Sequence, residues 1–176
     1  LDAGYLDIGM DHFAHPDDAL SAAYKNGTMH RNFMGYTTQS TELSVGLGMS
    51  AISDAWTAFS QNQKDLKSYQ KSVFNNEFPL LKGHILTRED LLVRKHILNL
   101  MCRHQTTFTD RELAFIGWDL NTRLLNELIA DGLITVHGNS LAVTESGKPY
   151  IRNICMALDI KLWRNHPDKP IFSQTV

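Results

Sequence analysis

With 176 residues, 43% of them hydrophobic and 20% charged, the chain is long enough to bury one or two modest cores and too apolar for a disordered segment. Its formal charge of −2 gives no broad basic field for nucleic acid or a membrane surface, and no apolar run reaches the roughly 20 residues that cross a bilayer. Two cysteines, Cys102 and Cys155, are too few for a secreted disulfide framework and point to a reducing, cytoplasmic compartment.

Taken in chain order, Gly4 to Asp11 alternates Leu6, Ile8 and Met10 with polar residues, the period of a strand; His12 continues its apolar side and falls at the strand's C-terminal end. Pro16-Asp17-Asp18 opens a short helix that Asn26-Gly27 stops. Residues 43–52 read as a second strand. Leu43, Val45, Leu47, Met49 and Ala51 form one row, and Ser44, Gly46, Gly48, Ser50 and Ile52 form a roomy opposite face. A strand crossing or a bulge explains the same small residues. A junction is expected over 76–87, dividing the chain into 1–75 and 76–176.

Beyond it, Thr87-Arg88-Glu89-Asp90 and Thr109-Asp110-Arg111-Glu112 read as capping boxes. Val93, Ile97, Leu100 and Met101 make a helical stripe. A third helix follows Asp119, with Leu124, Leu125, Leu128 and Ile129 inward and Gly132 closing it. Ile134-Thr135-Val136 and Leu141-Ala142-Val143 flank a turn at 137–140, and a last helix buries Ile151, Ile154, Cys155, Leu158 and Leu162. With its own caps and stripes, 87–163 is expected to fold independently of the segment before it. Cys155 is expected to be a small core residue.

Two blocks carry most of the chemical information: Gly9-Met10-Asp11-His12-Phe13-Ala14 and His30-Arg31-Asn32-Phe33-Met34-Gly35-Tyr36-Thr37-Thr38-Gln39. Acid, imidazole, guanidinium, phenol and amide groups gathered around glycines are costly to bury without partners, so a polar pocket is expected there. A metal site on His12, His15 and His30 matches no ligand spacing, and none is expected. With Gly46-Leu47-Gly48-Met49-Ser50-Ala51-Ile52-Ser53 and Ile151-Arg152-Asn153-Ile154-Cys155-Met156, these blocks resemble the bacterial oxygen-independent coproporphyrinogen III oxidases, radical SAM enzymes of haem biosynthesis, in their C-terminal part.

The resemblance implies an α+β fold: the terminal strands and helices of a partial (β/α) barrel over 1–75, then a mostly helical, winged-helix-like lid domain with a small hairpin over 76–176. It implies S-adenosyl-L-methionine and a [4Fe–4S] cluster in the full-length enzyme. The cluster needs three thiolates in a C-x-x-x-C-x-x-C loop, which the two cysteines here cannot make, so this fragment alone is expected to be inactive, with its catalytic residues upstream. The implied reaction takes hydrogen from a propionate of coproporphyrinogen III, and loss of carbon dioxide and an electron then leaves a vinyl group. A flavodoxin or ferredoxin is the implied electron donor, and a monomer the implied state.

By alignment to the family, Ile52 is a cofactor contact, and Met34 stands where the family has a glutamine that helps hold a second S-adenosylmethionine; methionine lacks that amide's hydrogen bonds. His12, Arg31, Tyr36 and Gln39 are the candidate substrate residues, with Arg31 suited to clamp a propionate through its fork. A structural histidine, a bridging salt bridge and loop fixing are the respective alternatives.

Two rival classes differ in visible features. The sister group of radical SAM haem chaperones lacks the Gly-Met-Asp-His-Phe-Ala and Arg-Asn-Ile-Cys-Met blocks present here. A winged-helix nucleic-acid module needs a basic recognition helix, and the helix in that place carries Asp119, Arg123, Glu127 and Asp131.

Overall fold

The computed structural model describes residues 3–117 and 122–165 of the chain. The fold is α+β, built of helices and small sheets. Strands β1 (Leu6–Gly9) and β2 (His12–Ala14) form a tight hairpin whose turn places Met10 and Asp11 at φ 46° and 63°. Helix α1 (Ala19–Lys25) follows, with the Asp18 carboxylate accepting from Leu20 N at 2.7 Å as its N-cap. A second hairpin pairs β3 (His30–Asn32) with β4 (Gly35–Thr37). Next come β5 (Ile52–Asp54), β6 (Ala58–Asn62), α2 (Leu66–Phe74) and β7 (Leu80–Ile85), the strands forming one antiparallel sheet in the order β5-β6-β7.

Several expectations for this region are corrected. Every strand pair among the described residues is antiparallel, so the pairing within 1–75 is not the parallel pairing that joins barrel strands to one another. The Met10–Asp11 turn reverses the chain before His12, which therefore opens β2 instead of ending a longer strand. Residues 43–51 form no strand: one isolated bridge joins Ser44 to Asp54, and Leu43, Val45 and Leu47 are 63%, 64% and 87% exposed. The reason is local. A Cβ on Gly46 would lie 2.6 Å from the Ile52 carbonyl oxygen, so the glycine admits a close crossing of the chain over itself, not a ligand. The expected junction at 76–87 holds β7, which completes the β5-β6 sheet.

The second half opens with α3 (Arg88–Arg103), followed by β8 (Gln105–Thr107), α4 (Asp110–Ile116), α5 (Arg123–Ala130) and the hairpin β9 (Ile134–His137) and β10 (Ser140–Val143). Both capping boxes form as expected: Thr87 and Asp90 satisfy each other's backbone N–H groups at the head of α3, as Thr109 and Glu112 do for α4. Strand β8 joins the hairpin in the order β8-β10-β9. On α5, Leu125 is fully buried while Ile129 is 39% exposed and looks outward, because the short helix presents too narrow a stripe to bury both. Asp119 lies outside the described residues. The expected last helix is two, α6 (Ile151–Ala157) and α7 (Ile160–Asn165), with Leu158 capping the first and Asp159 accepting from Leu162 N at 3.0 Å to start the second.

One buried cluster spans both halves. Ile8, Ala14, Ala23 and Met29 pack in the same core as Leu100, Phe108, Leu141, Ile154 and Leu158. The helical half is thus not closed on itself: it needs the β1-β2 hairpin and α1 to cover its core. The β5-β6-β7 sheet and α2 lie outside that core; α2 has no buried residue and β7 is exposed throughout. No helix among the described residues is long and apolar enough to cross a membrane.

Candidate functional site

The β1-β2 turn and the β3-β4 hairpin bring the polar blocks together against α3. His12 Nδ1 lies 2.8 Å from the Met10 carbonyl oxygen, which only accepts, so Nδ1 carries the proton and Nε2 presents its lone pair. That lone pair faces Gly35, at φ 143°, where a Cβ would collide with Nε2. Glycine is required there both by backbone conformation and by the ring above it. The His12 ring also meets the Tyr36 ring edge-on, with centroids 5.1 Å apart.

Tyr36 is anchored by its hydroxyl, which donates to the Met101 carbonyl of α3 at 3.0 Å. Burial pushes its phenol up to about 12, so it remains a neutral donor and not a base. Arg31 lies opposite Tyr36 across the hairpin and stacks its guanidinium 4.6 Å from the ring centroid. The guanidinium also hydrogen-bonds the Tyr36 side chain, while its Nη1 is buried and makes no hydrogen bond among the described residues. His12, Arg31 and Tyr36, each chosen from the sequence, therefore form one cluster.

The other candidates stand apart from it. Met34 is 92% exposed at the tip of the β3-β4 turn, which Asn32 closes by accepting from Met34 N at 2.8 Å. Ile52 is 37% exposed at the start of β5, and the face it was expected to share with Gly46 is filled by its own backbone. Gln39 is exposed in the following loop, with its backbone N–H on the Thr37 hydroxyl at 3.2 Å.

Around Arg31 the structure adds residues the sequence did not single out. A cleft of about 450 Å³ is lined by Met10, Arg31, Met101, Arg152, Cys155 and Met156 among others. Arg152 was visible only as part of the Ile151-Arg152-Asn153 block; it lines the same cleft as Arg31, where α6 packs on α3. A second cleft of about 390 Å³ beside β7, α3 and α7 has its main charges already matched: Asp90 is held by Thr87 and Lys161, which keep its carboxyl down at about 2 despite partial burial, and Arg94 is held by Asp54. The Arg31 cleft holds the buried Nη1, which makes no hydrogen bond among the described residues.

The cofactor groups implied by the sequence do not find a complete site here. Burial pushes the Cys102 and Cys155 thiols up to about 11 and 12, which keeps them protonated inside the core and unsuited to iron. Among the described residues no group of three or more His, Cys, Asp or Glu side chains is placed to hold a metal ion. Met34 and Ile52 are both open to solvent among the described residues.

Comparison with solved structures defines the class. A chain described as "Coproporphyrinogen III oxidase (HemN) from Escherichia coli is a Radical SAM enzyme" matches with a TM-score of 0.80 and 40% identity, over 92% of this chain and 38% of that one. Curated relatives are more particular: the oxygen-independent coproporphyrinogen III oxidase of Escherichia coli K12 is 42% identical over 168 residues, covering 91% of this chain and 36% of its own length. The enzymes of that name from Synechocystis, 37% identical over 182 residues, and Pseudomonas aeruginosa, 40% over 163, cover 98% and 89% of this chain. The chain is thus homologous to one segment of the oxygen-independent coproporphyrinogen III oxidases, and spans little more than a third of the length of these relatives. No protein-family model matches it.

Proposed function

We propose that this chain is the C-terminal segment of an oxygen-independent coproporphyrinogen III oxidase, a radical SAM enzyme that turns two propionates of coproporphyrinogen III into vinyl groups. The observation that supports this best is 42% identity sustained over 168 residues, together with a shared fold at a TM-score of 0.80. In this reading residues 1–75 close the end of the barrel and 76–176, winged-helix-like in the order of its elements, form a lid that screens the chemistry from water. The cluster and the catalytic residues are supplied upstream, with S-adenosylmethionine as radical source and a flavodoxin or ferredoxin as donor. Ile52 and Met34 belong to the cofactor side and Gln39 to the loop that frames it.

The chain's own contribution is positional. Arg31, stacked on Tyr36, offers a fixed fork to a propionate, and His12 offers an acceptor nitrogen beside it. Tyr36 holds both rings in place through Met101. The reading is tested by anaerobic reconstitution of the longer parent enzyme and of this chain, each with iron, sulfide and S-adenosylmethionine, followed by detection of the divinyl product. The parent should form it and the 176-residue chain should not. A parent that binds its cluster yet gives no vinyl product would remove the oxidase assignment.

A further inference from the structure

We propose that the C-terminal segment 166–176 folds back into the cleft beside β7, α3 and α7, seating Ile171 and Phe172 as apolar anchors on the open face of α3. This contact is internal to the chain and independent of the reaction proposed above. The cleft, of about 390 Å³, calls for an apolar occupant. Phe59, Leu86, Val93, Ile97 and Leu98 line it, and all five are only half-buried, so each still holds apolar surface that gains by being covered. Its charged side chains already have partners. Glu89 pairs with Arg164 at 2.8 Å, Asp90 with Lys161 at 2.6 Å and Arg94 with Asp54, while Asp159 accepts from Leu162 N at 3.0 Å.

The same ion pairs fix where the chain leaves α7. Lys161 at Asp90 and Arg164 at Glu89 lay α7 beside the first turn of α3, so the segment departs from the rim of the cleft. Phe172 comes seven positions after Asn165 and reaches at most roughly 23 Å at about 3.3 Å per residue. From Glu89 to Leu98 the cleft follows α3 for about 14 Å at a rise of about 1.5 Å per residue, so the anchors fall within range. Pro167 and Pro170 stop the helix from continuing and favour an extended course, and Ile171-Phe172 is the only adjacent pair of large apolar residues in the segment. Tethering gives such a segment an effective concentration on the order of mM at the cleft, which a separate partner has to exceed.

The test is photochemical and uses the 176-residue chain. Phe172 is replaced by p-benzoylphenylalanine, which keeps an aromatic anchor, and after irradiation the linked peptides are mapped by mass spectrometry. Links should fall on the cleft wall, at Leu86, Val93 or Leu98, with a yield independent of protein concentration. In a second variant, Ile171→Ser with Phe172→Ser, hydrogen exchange over residues 88–98 should quicken about threefold or more while exchange in α6 stays at the wild-type rate. If α6 quickens equally, the variant has lost stability throughout and the link map decides alone. Links scattered over the surface, links to a second copy that rise with protein concentration, or unchanged exchange over 88–98 in the double variant each overturn the docking. The oxidase reading stands or falls separately, on vinyl formation by the longer enzyme.

Discussion

His96 shows how one side chain can set the acid limit of the fold. It sits in α3 with its ring essentially inaccessible, stacked 3.9 Å from Phe108, Nδ1 sharing a hydrogen bond with the Thr106 hydroxyl at 2.7 Å and Nε2 without a hydrogen bond, 3.8 Å from the Glu112 carboxylate, whose charge opposes but does not outweigh burial. Burial, reinforced by Lys95, lowers its pKa to about 4, so it stays neutral while the unfolded imidazole protonates near 6.5. The unfolded state therefore binds more protons between pH 4 and 6.5, and stability rises with pH through that window. The full span is about 3 kcal/mol. Asp90 and Glu112, both held down at about 2 by hydrogen bonds, add stability that is present above their ordinary range and is lost as pH falls toward 2. Denaturant unfolding at pH 7, 5.5 and 4.5 should show the slope, and His96→Gln should flatten it above pH 4.5. An unchanged slope in that variant would assign the acid sensitivity elsewhere. At this scale the sequence was informative where a side chain's chemistry is itself the signal: His12, Arg31 and Tyr36 were picked out and do meet. It was silent on Arg152, which α6 brings to the Arg31 cleft, and on His96, whose surroundings of Thr106, Phe108 and Glu112 form only when β8 and α4 fold back on α3.

At the scale of elements, one side chain ties the exposed sheet to the core. Arg94 of α3 forms a forked ion pair with Asp54 of β5, at 3.0 and 2.5 Å, donates to the Trp56 carbonyl at 2.9 Å, and stacks 4.2 Å from the Trp56 ring centroid and 5.0 Å from that of Phe59. Both charged side chains are about 15% exposed, at 15% and 14%, so the pair is well shielded from water. Breaking it from one side leaves a carboxylate nearly buried, which costs about 3–5 kcal/mol. Arg94→Met should lower the unfolding free energy by that order, and the double variant Asp54→Asn with Arg94→Met should recover part of it. A loss below about 1 kcal/mol would mean the pair behaves as a surface salt bridge. Helix ends were the elements most legible in the sequence, because Thr87, Asp90, Thr109 and Glu112 act on backbone within one turn of themselves. The segment 43–51 was the least legible: alternation there mimics a strand, but its pairing with the edge strand β5 stops at the single Ser44–Asp54 bridge, and Gly46 is kept small by Ile52 of the same chain.

At the scale of the whole molecule, burial is uneven. The single core joins β1, β2 and α1 to α3, the β8-β10-β9 sheet and α6, whereas the β5-β6-β7 layer leaves Phe74, Phe78, Leu81 and Ile85 81%, 89%, 46% and 81% exposed. Local opening follows contact density, so backbone amides should exchange slowly in α3, α6 and at Ile8, and quickly in α2, β7 and residues 43–51. Hydrogen exchange read by mass spectrometry checks this. Protection in α2 equal to that in α3 would show the outer layer to be as stable as the core. The same distribution argues against independent folding of 87–163, since removing residues 1–29 would uncover Leu100 and its neighbours.

The sequence by itself determined the capped helices and the β9-β10 hairpin, because periodicity, capping and turn chemistry act over a few residues, and it marked His12, Arg31 and Tyr36 by their chemistry; the α+β class followed from the resemblance of its motifs to a known family. Tertiary structure alone decided that the early strands turn back as antiparallel hairpins, that β7 completes a sheet across the supposed junction, and that Arg152 lines the same cleft as Arg31. The first hairpin turns on Met10 and Asp11 in the left-handed region, where no glycine or asparagine signals it, and the β6-β7 pairing and the cleft shared by Arg31 and Arg152 depend on which strand edge is free and which helix faces meet, which leave no local pattern in one chain.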